Sequence, residues 1–254
     1  MKNCILIIAI LLIAFFCAGT VANATPENRE IIFSCSPDGW PPFFIVGDDG
    51  TVAGIMVDAL QAIASAHGYE VNIRTIPEKR EALMLDRGII DARAKAKEWV
   101  KVDPEQYTWT APVIMISVVV FFPKESTKNF STPEDLVGLR LGTGLGYTYQ
   151  YLNPYFADNR IRRADAQSGL SILKMLIIGR TDAAIMDKPV ALWLIKQNPE
   201  FQGRLKFSKP FQEVGYRLMF TKKYNWKPFA ELFNQELEKM RGDGGLEKIM
   251  KKYQ

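Results

Sequence analysis

A five-residue pattern occurs twice in this chain and constrains the fold more than any other feature. Gly88-Ile89-Ile90-Asp91-Ala92 recurs as Gly179-Arg180-Thr181-Asp182-Ala183, and a leucine stands three residues before each glycine, Leu85 and Leu176. Each copy follows a stretch that reads as a helix and precedes one that reads as a strand. Glycine takes positive φ without strain, so it suits the end of a helix. In the second copy the helix carries Ile172, Leu173, Met175, Leu176, Ile177 and Ile178. Ala183 to Met186 is too short and apolar for anything but a buried strand. The repeated unit predicts two lobes of similar α/β design.

The rest of the chain fits that plan. Ile31 to Cys35 reads as the first strand and runs into the rigid loop Ser36-Pro37-Asp38-Gly39-Trp40-Pro41-Pro42-Phe43. Phe43 to Gly54 reads as a hairpin turning at Asp49-Gly50. Met56, Leu60 and Ile63 recur at helical spacing, predicting a helix over Ile55 to His67 closed by Gly68. A strand at Val71 and Ile73 and a helix from Glu78 to Asp86 precede the first copy of the repeat. Val113 to Phe122 is β-branched and aromatic, long enough to cross from one lobe into the next, and Leu205-Lys206-Phe207 reads as the second crossing. Thr132-Pro133-Glu134-Asp135 starts a short helix, with Thr132 as N-cap and Pro133 in the first turn. Leu139 and Leu141 alternate in a strand opening into Gly142-Thr143-Gly144-Leu145-Gly146-Tyr147-Thr148. A glycine-rich turn from strand into helix presents backbone N–H groups to an anion. The spacing is not G-x-G-x-x-G, which argues against a nucleotide. Tyr216 to Thr221 reads as a strand, Phe229 to Met240 as an amphipathic helix, and Leu246 to Tyr253 as a final helix after the turn Gly242 to Gly245.

Composition excludes several classes. Lys2, the apolar run from Ile5 to Ala18 and Ala22-Asn23-Ala24 form a signal peptide (residues 1–24) cleaved after Ala24, so an exported, soluble, periplasmic chain is expected. Phe16 before Cys17 argues against a lipid anchor. Of 3 cysteines only Cys35 survives cleavage, which removes any intrachain disulfide and any cysteine metal site. Cys35 itself lies in an apolar strand and reads as inert core. His67 is the 1 histidine, which argues against a serine–histidine triad or histidine-ligated zinc. The formal net charge of +4, which becomes +3 without Lys2, is too weak and dispersed for nucleic acid. No cofactor and no metal are expected.

Asp187 ends the second repeat's strand, two residues before Pro189. A carboxylate there stands where open α/β sheets bind ligands. It also stands where an N-cap for the next helix would be.

The order Trp-Pro-Pro-Phe (Trp40 to Phe43), hairpin, helix, G-x-x-D-A, Pro-Glu-Asp-Leu-x-Gly (Pro133 to Gly138), G-x-x-D-A-x-x-x-D (Gly179 to Asp187) and a terminal glycine-rich turn resembles the family 3 extracellular solute-binding proteins. The likeness covers nearly the whole mature chain. It implies the type II periplasmic binding protein fold: two α/β lobes joined by two crossing strands, closing on a ligand like a clamp. Lobe 1 would be 25–112 plus 212–254, and lobe 2 would be 113–211. It implies a small polar ligand, an amino acid or related amine or acid, and the membrane subunits of an ABC transporter as partner, with the receptor a monomer. It also implies site roles: Trp40 stacking on the ligand, Thr148 binding a carboxylate, and Asp187 receiving an ammonium.

The pattern breaks at Asp91 to Trp99. Lys95 and Glu98 stand where the family's small ligand-contacting residues are expected, Asp103 where its carboxylate-binding arginine is expected, and Glu78 where a second aromatic is common. Strand alternation puts Arg93, Lys95 and Lys97 on one face. Lys95 or Arg80 is then the candidate replacement for the arginine, as a point charge or from the first turn of the Glu78 helix. The ligand is either a diacid or modified amino acid seen by Lys95, or a cationic amine seen by Asp187, Glu98 and Asp103. Two alternatives stand beside the transport receptor: a sensor for a signalling partner, and an enzyme resembling cyclohexadienyl dehydratases, in which Lys95 and Glu98 act as acid and base.

Overall fold

The structure is a computed structural model and describes residues 29–100 and 102–253, so the expected signal peptide lies outside the described residues. Its strands are β1 (Glu30–Cys35), β2 (Ile45–Val46), β3 (Val52–Ala53), β4 (Glu70–Thr75), β5 (Ala92–Ala96), β6 (Thr108–Trp109), β7 (Ile114–Pro123), β8 (Arg140–Gly144), β9 (Arg162–Ala166), β10 (Ala183–Asp187), β11 (Leu205–Phe207) and β12 (Gln212–Phe220). Its helices are α1 (Ile55–Ala66), α2 (Glu78–Arg87), α3 (Asn153–Ala157), α4 (Gly169–Ile177), α5 (Lys188–Gln197), α6 (Lys227–Gly242) and α7 (Gly245–Lys252).

One curled sheet runs through both lobes in the order β4-β1-β5-β12-β7-β10-β8-β9, with β11 on β7 and β6 on β12. Strands β7 and β12 cross from lobe to lobe, pairing antiparallel from Ile114 opposite Tyr216 to Val118 opposite Gln212. Beyond that ladder they part: β12 continues against β5 in the first lobe, and β7 continues against β10 in the second. The strand Leu205–Phe207, expected to be the second crossing, instead pairs with the far end of β7, Leu205 opposite Pro123. The second crossing is β12, which starts four residues before the expected Tyr216.

Burial explains the composition of β7. Val118, Val120 and Phe122 pack with Leu141 and Ile185 on one face, while Val119 and Phe121 pack with Leu173 and Met186 on the other. A strand covered on both faces is apolar at every position rather than at alternate ones. The first lobe's core gathers Phe33, Leu60, Leu218, Phe220, Phe233 and Leu237. Cys35 sits inside it, and burial pushes its thiol up to about 12.

The two copies of the repeated motif make the same device. Gly88 and Gly179 both take positive φ, 71° and 72°. Asp91 then accepts a hydrogen bond from the Ile32 N–H on β1 at 2.8 Å, and Asp182 accepts one from the Arg140 N–H on β8 at 2.7 Å. Each aspartate's own N–H donates back to the same residue's carbonyl, Ile32 and Arg140. The motif therefore turns the chain out of a helix and locks the next strand's register on its parallel neighbour. Asp91 is buried and Asp182 exposed, so their removal should differ in cost. Asp91→Ala leaves a buried N–H without its partner and should cost about 1–3 kcal/mol in chemical denaturation, with Asp182→Ala costing less.

Candidate ligand-binding site

The register brings two strand ends to one seam. Asp187, last in β10, pairs with Val118, which also faces Gln212 at one end of the crossing ladder. Ala96, last in β5, pairs with Tyr216, which faces Ile114 at the other end. Four residue steps along β7 separate these points, about 13 Å of extended chain. The carboxyl ends of one strand from each lobe thus flank the crossing strands, the position where open α/β sheets hold ligands.

On the second lobe's side, Asp187 occupies the N-cap position of α5, yet its side chain caps nothing. Burial alone pushes its carboxyl up to about 7, with no cation beside it among the described residues. Three tyrosine hydroxyls, of Tyr147, Tyr149 and Tyr151, lie within its field, and each is raised first by its own burial. They come from the segment that follows β8. Its glycine-rich turn does not enter an α-helix as expected. Gly146 takes a φ of 78°, the chain runs on extended, and only a 3-10 turn over Gln150–Leu152 precedes the short α3. No helix N-terminus is therefore available there for an anion.

Arg163 on β9 holds this loop instead. Its guanidinium donates to the carbonyls of Gly144 and Tyr147 at 3.0 and 2.8 Å and to Asp165 at 2.7 Å. It also lies over the rings of Tyr149 and Phe156, 5.7 and 5.5 Å from their centroids. Asp165 is fixed in turn by the Thr143 hydroxyl. Thr148 follows the clamped segment and is exposed.

The first lobe's wall is a network of paired charges. Lys95 contacts Glu78 at 2.5 Å, while Arg93 contacts Glu81 at 2.8 Å and Glu78 at 3.4 Å. Ser34 donates to Glu81 at 2.7 Å. The Lys95 hydrogen bond is the main reason that Glu78 titrates below the usual range, and burial is the main reason that Glu81 titrates above it. Nearby, the Trp40 ring packs on Phe43 at 4.7 Å and meets Trp99 and Tyr216 edge-on at 5.8 and 5.1 Å. Its backbone N–H is fixed on the Phe44 carbonyl.

The family model of bacterial extracellular solute-binding proteins, family 3, matches residues 32–254. The chain belongs to that family. Its solute-binding relatives include the L-cystine-binding protein of Escherichia coli K12, 26% identical over 217 residues, covering 84% of this chain and 79% of that one. The arginine-binding extracellular protein of Bacillus subtilis is 22% identical over 265 residues, covering 100% of this chain and 98% of its own. Among solved structures, an ancestral arginine-binding protein bound to arginine superposes with a TM-score of 0.67 at 24% identity, over 89% of this chain and 98% of that one. The protein is thus a solute-binding receptor with the two-lobed type II fold.

Within this receptor the six expected site residues are placed unequally. Asp187 and Thr148 sit on the second lobe's side, with Thr148 next to the tyrosine segment. Trp40 and Lys95 sit on the first lobe's side, but Lys95 pairs with Glu78 and not with Glu98. Glu98 is exposed on the 3-10 turn Lys97–Trp99 that leaves β5. Arg80 is exposed on α2, about 200° around the helix from Glu78, so it faces away from the charged network. Asp103 caps a 3-10 turn by accepting from the Glu105 N–H. The sequence reading missed Tyr149, Tyr151 and Arg163. The signal for the tyrosines was their period of two, Tyr147, Tyr149 and Tyr151, directly after the glycine-rich turn.

Two expectations follow for the free receptor. Arg163→Met should leave global unfolding within about 1–3 kcal/mol of wild type while amide exchange quickens over residues 145–148. Asp187 is raised in the folded state, so the native protein holds its proton longer than the unfolded chain. That stabilisation is complete below about pH 4 and lost as pH rises through about 7, a swing of at most about 4 kcal/mol. Asp187→Asn should therefore melt higher than wild type at pH 8 and equally at pH 4.

Proposed function

We propose that the protein is a periplasmic receptor for a small ligand bearing an ammonium group, an amino acid or a related amine, which it delivers as a monomer to an ABC transporter. The observation that carries this reading is the Asp187 carboxylate, a group at the cleft with neither a capping bond nor a cation, at the end of a strand that leads to the seam. A half-buried carboxylate in that state is costly for the empty protein, and a bound ammonium removes the cost. A charge-assisted hydrogen bond of this kind contributes roughly 1.5–3 kcal/mol. Trp40 stacks against the ligand and Thr148 borders it, while Lys95 is engaged by Glu78, and Glu98 and Arg80 are exposed and stay outside the contact.

The lobes are residues 25–112 with 212–254, and residues 113–211, and they close about the ladder between β7 and β12. Both proposed boundaries lie beside that ladder, which supports a hinge there. Binding is not followed by catalysis in this reading. The acid–base pair that a dehydratase would draw from Lys95 and Glu98 is not formed, since Lys95 is engaged by Glu78.

Titration calorimetry of the mature chain against amino acids and amines tests the proposal. At pH 6, where free Asp187 is mostly protonated, ligand uptake should release close to one proton and be about tenfold weaker than at pH 8. Asp187→Ala should abolish binding while the protein still folds. A variant that binds with unchanged affinity, or uptake that releases no proton at pH 6, would remove Asp187 from the site.

A further inference from the structure

We infer that the cleft selects an organic ammonium ion without an α-carboxylate, because Asp187 has no cation beside it among the described residues, whereas Lys95, Arg93, Arg217, Arg163 and Lys188 each already contact an acceptor or ring of the protein. This rests on the receptor reading above and narrows its ligand class. Lys95 is held by Glu78 at 2.5 Å, and Arg93 is held by Glu81 and Glu78 at 2.8 and 3.4 Å. Arg217, opposite Lys95 in the β5–β12 register, folds back so that its Nε donates to the Gly215 carbonyl at 3.1 Å. Arg163 is occupied by two loop carbonyls and Asp165. Lys188, next to Asp187, has its ammonium 4.4 Å from the centre of the Phe207 ring.

A ligand carboxylate entering this cleft meets no unengaged cation among those named, and the exposed Thr148 offers it a neutral hydroxyl only. To reach Lys95 it must displace Glu78, and the displaced carboxylate then sits beside the new anion. To reach Arg163 it must unclamp the loop that carries Tyr147. A ligand ammonium meets the reverse situation. The Tyr147 hydroxyl is raised, after burial, by Asp187 from its own lobe and by Glu78 from the other, so a carboxylate from each wall acts on this side chain. About half of the Tyr147 surface stays open while its ring packs on Gly144, and a cation near an aromatic face gains further attraction.

The test compares amino acids with their decarboxylated counterparts on the full exported chain by calorimetry at pH 8. Phenylalanine is paired with phenethylamine, arginine with agmatine, ornithine with putrescine and histidine with histamine. In at least one pair the amine should bind at least tenfold more tightly than the parent acid, and Asp187→Asn should weaken that amine at least 100-fold without lowering the melting temperature. Glu78→Gln, which frees Lys95, should shift the ratio at least tenfold back toward the parent acid. If the parent acid binds more tightly in every pair that binds, and does so through Asp187, this inference fails and the amino-acid receptor stands. If no member of any pair binds, both fail. An acid-to-amine ratio unchanged by Glu78→Gln would overturn the claim that Lys95 is withheld from the ligand.

Discussion

Everything in this protein depends on the antiparallel ladder between Ile114–Val118 and Gln212–Tyr216. It is where the sheet passes from one lobe to the other, and each of its strands serves two neighbours in turn. The register of β7 cannot slip by one residue, because Val119 and Phe121 would exchange faces with Val118 and Val120, and both sets are packed. Fixing β7 and β12 fixes the ends of β10 and β5, and with them Asp187 and the charged face of β5. The site is therefore a consequence of sheet register before it is a matter of loops.

The two walls so placed treat charge in opposite ways. Glu78 and Asp187 are both carboxylates at the cleft, and their surroundings push them apart. Lys95 and Arg93 hold Glu78 ionised, whereas burial without a cation pushes Asp187 up to about 7. Most of the first lobe's charges are paired with one another, with Ser34 donating to Glu81 beneath, while the buried Arg93 Nε has no hydrogen-bond partner. Of the charged groups in this network only Arg93 and Glu81 are buried, so removing Glu81 would leave the Arg93 guanidinium with its longer Glu78 contact and most of its desolvation cost. The second lobe leaves one carboxylate without a cation beside it among the described residues, which in the proposed receptor is satisfied by the ligand on closure.

Much of this was legible in the sequence because much of it is local. The glycines that end α2 and α4, the Asp49-Gly50 turn, the Thr132 capping box and the apolar faces of α1 and α6 depend on a few residues each, and they form as expected. The repeated aspartates were legible as a pattern but not as a device, since their partners Ile32 and Arg140 lie far away in sequence. The second crossing was misread for a similar reason. Leu205–Phe207 and Gln212–Phe220 are both apolar enough for strands, and only the choice of partner along β7 separates them. The Glu78–Lys95 pair requires α2 to pack on β1 with its first turn beside β5, which no spacing rule supplies. The clamp from Arg163 likewise depends on a parallel β8–β9 register.

Asp187 shows how a local rule can be read one step further. An N-cap side chain accepts from the N–H of the second or third helical residue. In α5 the second helical residue is Pro189, which has no N–H to give. Only the Val190 N–H is left to a cap at Asp187, and the structure makes no such bond. The residue that announces a new helix therefore also weakens the structural claim on the aspartate before it. A carboxylate that the helix does not use, that no cation neutralises among the described residues and that burial holds near neutrality is, in the proposed receptor, the group that exchanges its proton for a ligand's ammonium.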